Sequence, residues 1–170
     1  MLLTVLFLII MVILGSAAVA GLSAAPWVPM RKADVIRAVE LAEVKAGDRV
    51  YDLGCGDGRL VFAASGRGAK AIGLEISLLP FVIAKIRSWF QPLTRVSFKS
   101  FFRQNLEDAD VVFVFLMKKI YPKLATKLTK ELKPGARIVV YCWPIDELKS
   151  SLIEKNKPTE KDLPLYLYQI

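Results

Sequence analysis

The chain has 170 residues, room for one domain, with 24 Lys/Arg against 16 Asp/Glu, a net charge of +8 and no histidine. The missing imidazole excludes histidine general bases and histidine-ligated metal sites, and no Cys/Asp/Glu cluster takes their place. Two cysteines, Cys55 and Cys142, exclude a disulfide framework and read as reduced thiols in a reducing compartment.

No charged side chain occurs from Met1 to Met30. Residues 1–24, "MLLTVLFLIIMVILGSAAVAGLSA", predict one transmembrane helix, since roughly 20 apolar residues cross a bilayer core of about 30 Å. A cleaved signal peptide is the other reading, and "AVA" before Gly21 resembles a cleavage site. No basic segment precedes the apolar run, however, and the run is long for a signal peptide. Arg31 and Lys32 follow the span, which places the body on the cytoplasmic side of a single-pass membrane protein.

Residues 25–46 form a joint and a helix. "APWVPM" has prolines flanking Trp27 and Val28, a stiff extended element. Apolar spacing from Asp34 to Val44 predicts a helix with Asp34 as its N-cap. The globular domain is residues 47–170. "RVYDL" reads as a short buried strand, "RLVFAAS" as a helix and "AKAIGLE" as a second strand. "SLLPFVIAKIRSWF" is a helix capped by Ser77, with Pro80 in its first turn, and "RVSF" is a third strand. The continuous apolar run Asp110 to Leu116 suits a strand covered on both faces. "YPKLATKLTKEL" is an amphipathic helix ended by "KPG", "ARIVVYCW" a buried strand and "LPLYLYQI" a last strand. This alternation predicts an α/β fold, a parallel sheet wound with helices on both faces.

The chemistry concentrates in "VYDLGCGDGRL". Gly54, Gly56 and Gly58 clear side chains from the first strand-to-helix loop and permit positive φ there. In open α/β sheets ligands bind beyond the carboxyl ends of strands, where strand order reverses. A dinucleotide fingerprint needs G-x-G-x-x-G/A, but its third position here is Arg59. The spacing D-x-G-x-G-x-G resembles the nucleotide loop of class I S-adenosylmethionine (SAM) methyltransferases. Asp52 can polarise that loop or bind near an ammonium group. Glu75, seventeen residues after Gly58, ends the second strand, where a carboxylate can accept both ribose hydroxyls.

A longer resemblance runs over residues 26–143. "PWVPM", the glycine loop, "GLEISLLPFVIAKIRSW" and the apolar leader together resemble the small membrane-anchored protein-lysine methyltransferases. Mitochondrial members of that family modify the c subunit of ATP synthase and the adenine nucleotide translocase. The resemblance implies a Rossmann-like SAM methyltransferase fold behind one transmembrane helix, and SAM as cofactor. It implies SAM contacts at Asp52, Gly54, Gly56, Gly58 and Glu75. It places the proline element, with Trp27 and Pro29, over the methyl-transfer site. The loop serine of the family is Cys55 here, and Met30 replaces a threonine. The acid of the family's third strand is replaced within "FKSFFRQN" by Ser100 or a neighbour, and a serine holds an amine less strongly than a carboxylate. Phe115, Leu116 and Met117, at the end of the fourth strand, line the substrate channel or belong to the core. No catalytic base is identifiable.

Lys123, Lys127 and Lys130 share a helical face that is either simply solvated or set against anionic lipid. No nucleic-acid motif accompanies the charge. The implied partners are a membrane and a protein substrate, without nucleic acid or metal. Two other readings remain open: methylation of a lipid or small hydrophobic molecule, and a non-catalytic nucleotide-binding module.

Overall fold

The apolar, β-branched runs become the middle of one seven-stranded sheet. The computed structural model describes all 170 residues. Its strands are β1 (Arg49–Leu53), β2 (Lys70–Glu75), β3 (Thr94–Phe98), β4 (Val111–Val114), β5 (Arg137–Tyr141), β6 (Leu152–Asn156) and β7 (Leu165–Gln169). They lie in the order β3-β2-β1-β4-β5-β7-β6. All four residues of β4 are buried, as expected for a central strand with helices on both faces. Alternation sends Val112 and Val114 into one core, with Leu124 and Leu128 of α5 (Tyr121–Glu131). Val111 and Phe113 enter the opposite core. There they meet α2 (Lys32–Leu41), α3 (Arg59–Ser65) and Ala84 of α4 (Leu78–Ser88).

Two expectations about the sheet are corrected. It is not wholly parallel: β7 runs antiparallel to both β5 and β6. The strand β6 is an addition to the expected set, because "LIEKN" is an exposed edge strand with no buried alternation to reveal it. The two follow from one another, since a hairpin-like return from an edge strand must enter the sheet reversed. The third crossover also lacks a full helix. Only a 3-10 turn, Phe101–Arg103, stands between β3 and β4.

The start of α2 is corrected as well. Arg31 is its cap, and Asp34 sits in the first turn. There Asp34 is buried and accepts hydrogen bonds from Arg31 Nε at 2.6 Å and from the Tyr141 hydroxyl, with Arg37 3.1 Å away. Burial alone would raise this carboxyl. The hydrogen bonds from Arg31 and Tyr141 and the two guanidinium charges outweigh it and hold Asp34 below the ordinary range. The cluster fastens α2 to β5.

The leader is one helix, α1 (Leu2–Ser23), apolar throughout, with its large side chains exposed over most of its length. Its last turns dock on the body. The Ser16 hydroxyl accepts the Leu78 N–H at 3.1 Å, and Ala20 and Ala24 are buried. Lys119 Nζ donates to the carbonyls of Leu22 at 2.6 Å and Gly21 at 3.3 Å, satisfying acceptors that a helix end leaves free.

Candidate active site

Strand order reverses at β1, which pairs with β2 on one side and β4 on the other. The glycine loop leaves β1 at this switch point. Gly54 and Cys55 donate their N–H groups to the Leu74 carbonyl at 2.9 and 3.0 Å, which ties the loop to β2. Gly56 has φ +54, and a Cβ there would stand 2.8 Å from the Trp27 indole. Glycine is therefore required twice, by the backbone and by the close approach of Trp27. Gly58 has φ +87 and caps α3; a Cβ would collide with Phe62 at 2.5 Å. Arg59 Nε binds Asp57 at 3.0 Å, and its guanidinium also donates to the Met30 carbonyl at 2.8 Å. Arg87 donates to the Asp57 carbonyl at 2.8 Å from its place over the Phe62 ring. The arginine of "KIRSW" thus braces the loop from outside.

Residues 24–30 run as a strap over the carboxyl ends of the strands. The strap joins one core at Ala24 to the opposite core at Met30. Met117 N–H donates to the Ala24 carbonyl at 3.2 Å. Beneath the strap is a cavity of about 310 Å³, at the small end of the range for ligand sites. Asp52, Gly54, Gly56 and Glu75 line it. Trp27, Pro29, Leu116 and Met117 also line it, on the side of the strap and the end of β4. Two of the residues expected at the site are not in its wall. Gly58 lies beyond the turn, where its role is to let α3 start. Ser100 is flanked by Lys99 and Phe101, both of which line the cavity. In an extended stretch alternate residues face the same way, so Lys99 and Phe101 point in together.

Trp143 is a wall residue that the sequence reading does not include. Cys142 has φ +75, an uncommon conformation for a residue with a side chain. This bend beyond β5 sets Trp143 into the cavity wall. The signal available in the sequence is its place just past the carboxyl end of a buried strand.

The two acids differ sharply. Glu75 ends β2 with Oε2 accepting the Gly56 N–H at 2.8 Å and Oε1 accepting those of Ile76 at 2.8 Å and Ser77 at 2.7 Å. Three backbone donors fix its orientation, and a carboxylate has about four lone-pair sites, so it can still accept from a ligand. Asp52 is buried, and its pKa is pushed up to about 8, first by burial and then by the charges of Glu75 and Asp57. No hydrogen bond to the protein offsets that burial. Facing the cavity, such an acid is mostly protonated at neutral pH, and a cation bound beside it would favour its charged form. The residues lining the cavity fit SAM: Asp52 would face its ammonium group and Glu75 its ribose hydroxyls, with the bare loop between them.

Residues 52–151 match the family described as the ANTKMT methyltransferase domain. A protein-lysine N-methyltransferase of Saccharolobus islandicus is 34% identical over 150 residues, covering 85% of this chain and 93% of that protein. A Xenopus laevis lysine N-methyltransferase of the ATP synthase c subunit is 28% identical over 122 residues, 70% of this chain. The chain spans about half of that longer protein, 54% of its length. Among solved structures, an RNA methyltransferase from Salinibacter ruber in complex with S-adenosyl-L-homocysteine superposes with a TM-score of 0.77 at 30% identity. The match covers 84% of this chain and 94% of that one. The chain belongs to the ANTKMT methyltransferase domain family and is a SAM-dependent methyltransferase.

Proposed function

We propose that this enzyme methylates the side-chain nitrogen of lysine in a protein lying in or against a membrane. The observation that carries the reading is the S. islandicus relative, a protein-lysine N-methyltransferase matched over nearly its whole length. Residues 1–24 act as the anchor, 25–46 as the joint and first helix, and 47–170 as the catalytic domain, which faces the cytoplasm. When bound, the cofactor supplies a methyl group already activated on a sulfonium. The protein has to hold and exclude rather than activate. Asp52 balances the ammonium charge, Glu75 holds the ribose, and Gly54 and Gly56 admit the ligand against the backbone. Lys99 and Phe101 stand where Ser100 was expected to serve the adenine side. Trp27, Pro29, Leu116, Met117 and Trp143 wall the approach for the acceptor. They are apolar and carry no base. A lysine entering there sheds water, and desolvation disfavours its charged form, which frees the nitrogen lone pair for attack.

RNA is the second reading, because the solved S. ruber relative is named an RNA methyltransferase. The test is incubation of membranes and cytosol from a strain lacking the gene with the purified full chain and methyl-labelled SAM. Label on protein bands, located on lysine by mass spectrometry, supports the proposal. Label confined to RNA, or to lipid extract, overturns it.

A further inference from the structure

Helix α4 is apolar on its outward face as well as its buried one. Leu79, Val82 and Ile86 stand exposed at helical spacing, and Trp89 and Phe90, just past its last turn, extend the face at 71% and 80% exposure. Outward helix faces of globular domains are normally polar, and contiguous exposed apolar surface marks an interaction site. The basic face predicted on α5 is not a comparable surface. Lys127 is occupied by Glu131 at 2.6 Å and by the Gln104 carbonyl, while Lys123 lies over the Phe102 ring.

Two observations point to lipid. The face is continuous with α1, through the hydrogen bond from the first residue of α4, Leu78, to Ser16. Between Glu75 and Glu107 the chain has five basic residues and no acidic one. Arg87 is held by Asp57 and Lys99 by Gln104, which leaves Lys85, Arg95 and Arg103 for an anionic surface. An amphipathic helix lying in such an interface sinks about 5–10 Å.

We infer that the exposed face of α4 is a second membrane contact, seated in an anionic bilayer beside α1, so that the body sits partly sunk and the cavity opens at headgroup level. Ala20 of α1 and Ile76, just before α4, both line that cavity, so the two lipid contacts bracket its rim. An acceptor lysine at the membrane surface then meets the cavity without leaving the interface. The inference rests on the anchoring role of α1 proposed above, but not on the identity of the acceptor.

The test uses the full chain in vesicles of three parts phosphatidylcholine to one part phosphatidylglycerol, with acyl chains brominated at defined depths. A variant keeping Trp89 as its one tryptophan (Trp27→Phe, Trp143→Phe) should show blue-shifted emission, quenched most by bromines near the ester end. Adding Val82→Glu and Ile86→Glu, both at exposed positions, should remove that quenching while the circular dichroism of the body is kept. A separate variant with Ile9→Trp as the one tryptophan reads insertion of α1 and should be quenched by the deepest bromines. If Ile9→Trp is quenched but Trp89 is untouched at every depth, whether or not α4 proves to be covered by a second copy, the inference fails alone. Quenching of Trp89 that survives the two glutamates overturns it too. Loss of quenching at both positions removes the anchor as well.

Discussion

Replacing Asp52 by asparagine should abolish the pH dependence of ligand affinity. Asp52 titrates near 8 in the empty site because burial, then Glu75 and Asp57, oppose its charge. An ammonium group bound beside it favours the ionised form, so binding releases a proton. With a pKa of about 8, the ionised fraction is about one in a hundred at pH 6 and about one in eleven at pH 7. Apparent Kd scales inversely with that fraction, so it should fall about ninefold between those two values. The ligand's own α-amino group, which ordinarily titrates at about 8, stays mostly protonated between pH 6 and 7. Titration calorimetry with S-adenosyl-L-homocysteine at pH 6, 6.5, 7 and 7.5, in two buffers of different ionisation enthalpy, reads both the slope and the proton. The Asp52→Asn variant should bind more weakly at pH 7.5 and show no slope. Unfolding supplies an independent check. A carboxyl whose folded pKa is raised contributes stability in full below its unfolded value of 3.8. That stability is lost as pH rises toward about 8, at up to about 1.4 kcal/mol per pH unit. The variant should escape this loss. A wild-type Kd that stays flat from pH 6 to 7.5, or a variant with the same slope as wild type, refutes the assignment of Asp52 as the ammonium partner.

The other predictions concern the loop and its supports. Gly56→Val should eliminate binding of S-adenosyl-L-homocysteine by calorimetry, since the new side chain meets both φ +54 and the Trp27 indole. Glu75→Ala should weaken binding and lower the melting temperature, because three backbone donors lose their acceptor, at about 1–3 kcal/mol for each one left buried and unpaired. Gly73→Ala should destabilise the fold by about 1–3 kcal/mol in urea unfolding, because a Cβ there stands 2.6 Å from Cys55 Sγ and 2.9 Å from Val61. Asp34→Asn should selectively weaken the fold above pH 5. The depressed carboxyl contributes stability above its unfolded value of 3.8 that is lost as pH falls through its folded one, so wild type and variant should converge in acid melts. Trp143→Ala should raise KM for the acceptor while leaving the Kd of S-adenosyl-L-homocysteine within about twofold; an unchanged KM removes it from the acceptor wall.

Local chemistry alone located much of this protein. The positive-φ loop could be read from "GCGDG" because only glycine is at ease there. The central strand "VVFV" could be read because a strand covered on both faces needs every residue apolar. Glu75 and Asp52 were legible by their spacing from that loop, and α1 by its length without charge. What remained hidden depends on residues distant in sequence. The edge strand "LIEKN" carries no periodic signal, and the reversal of β7 follows from where that edge lies. Asp34 looked like a cap but became the buried partner of Tyr141, since only the packing of α2 on β5 brings the two together. Trp143 and Lys99 join the cavity because strands separated by long stretches of chain end at one rim. The pKa of Asp52 is a property of that same convergence: the sequence names the acid, but the depth of its burial and the nearness of Glu75 and Asp57 exist only once the sheet is assembled.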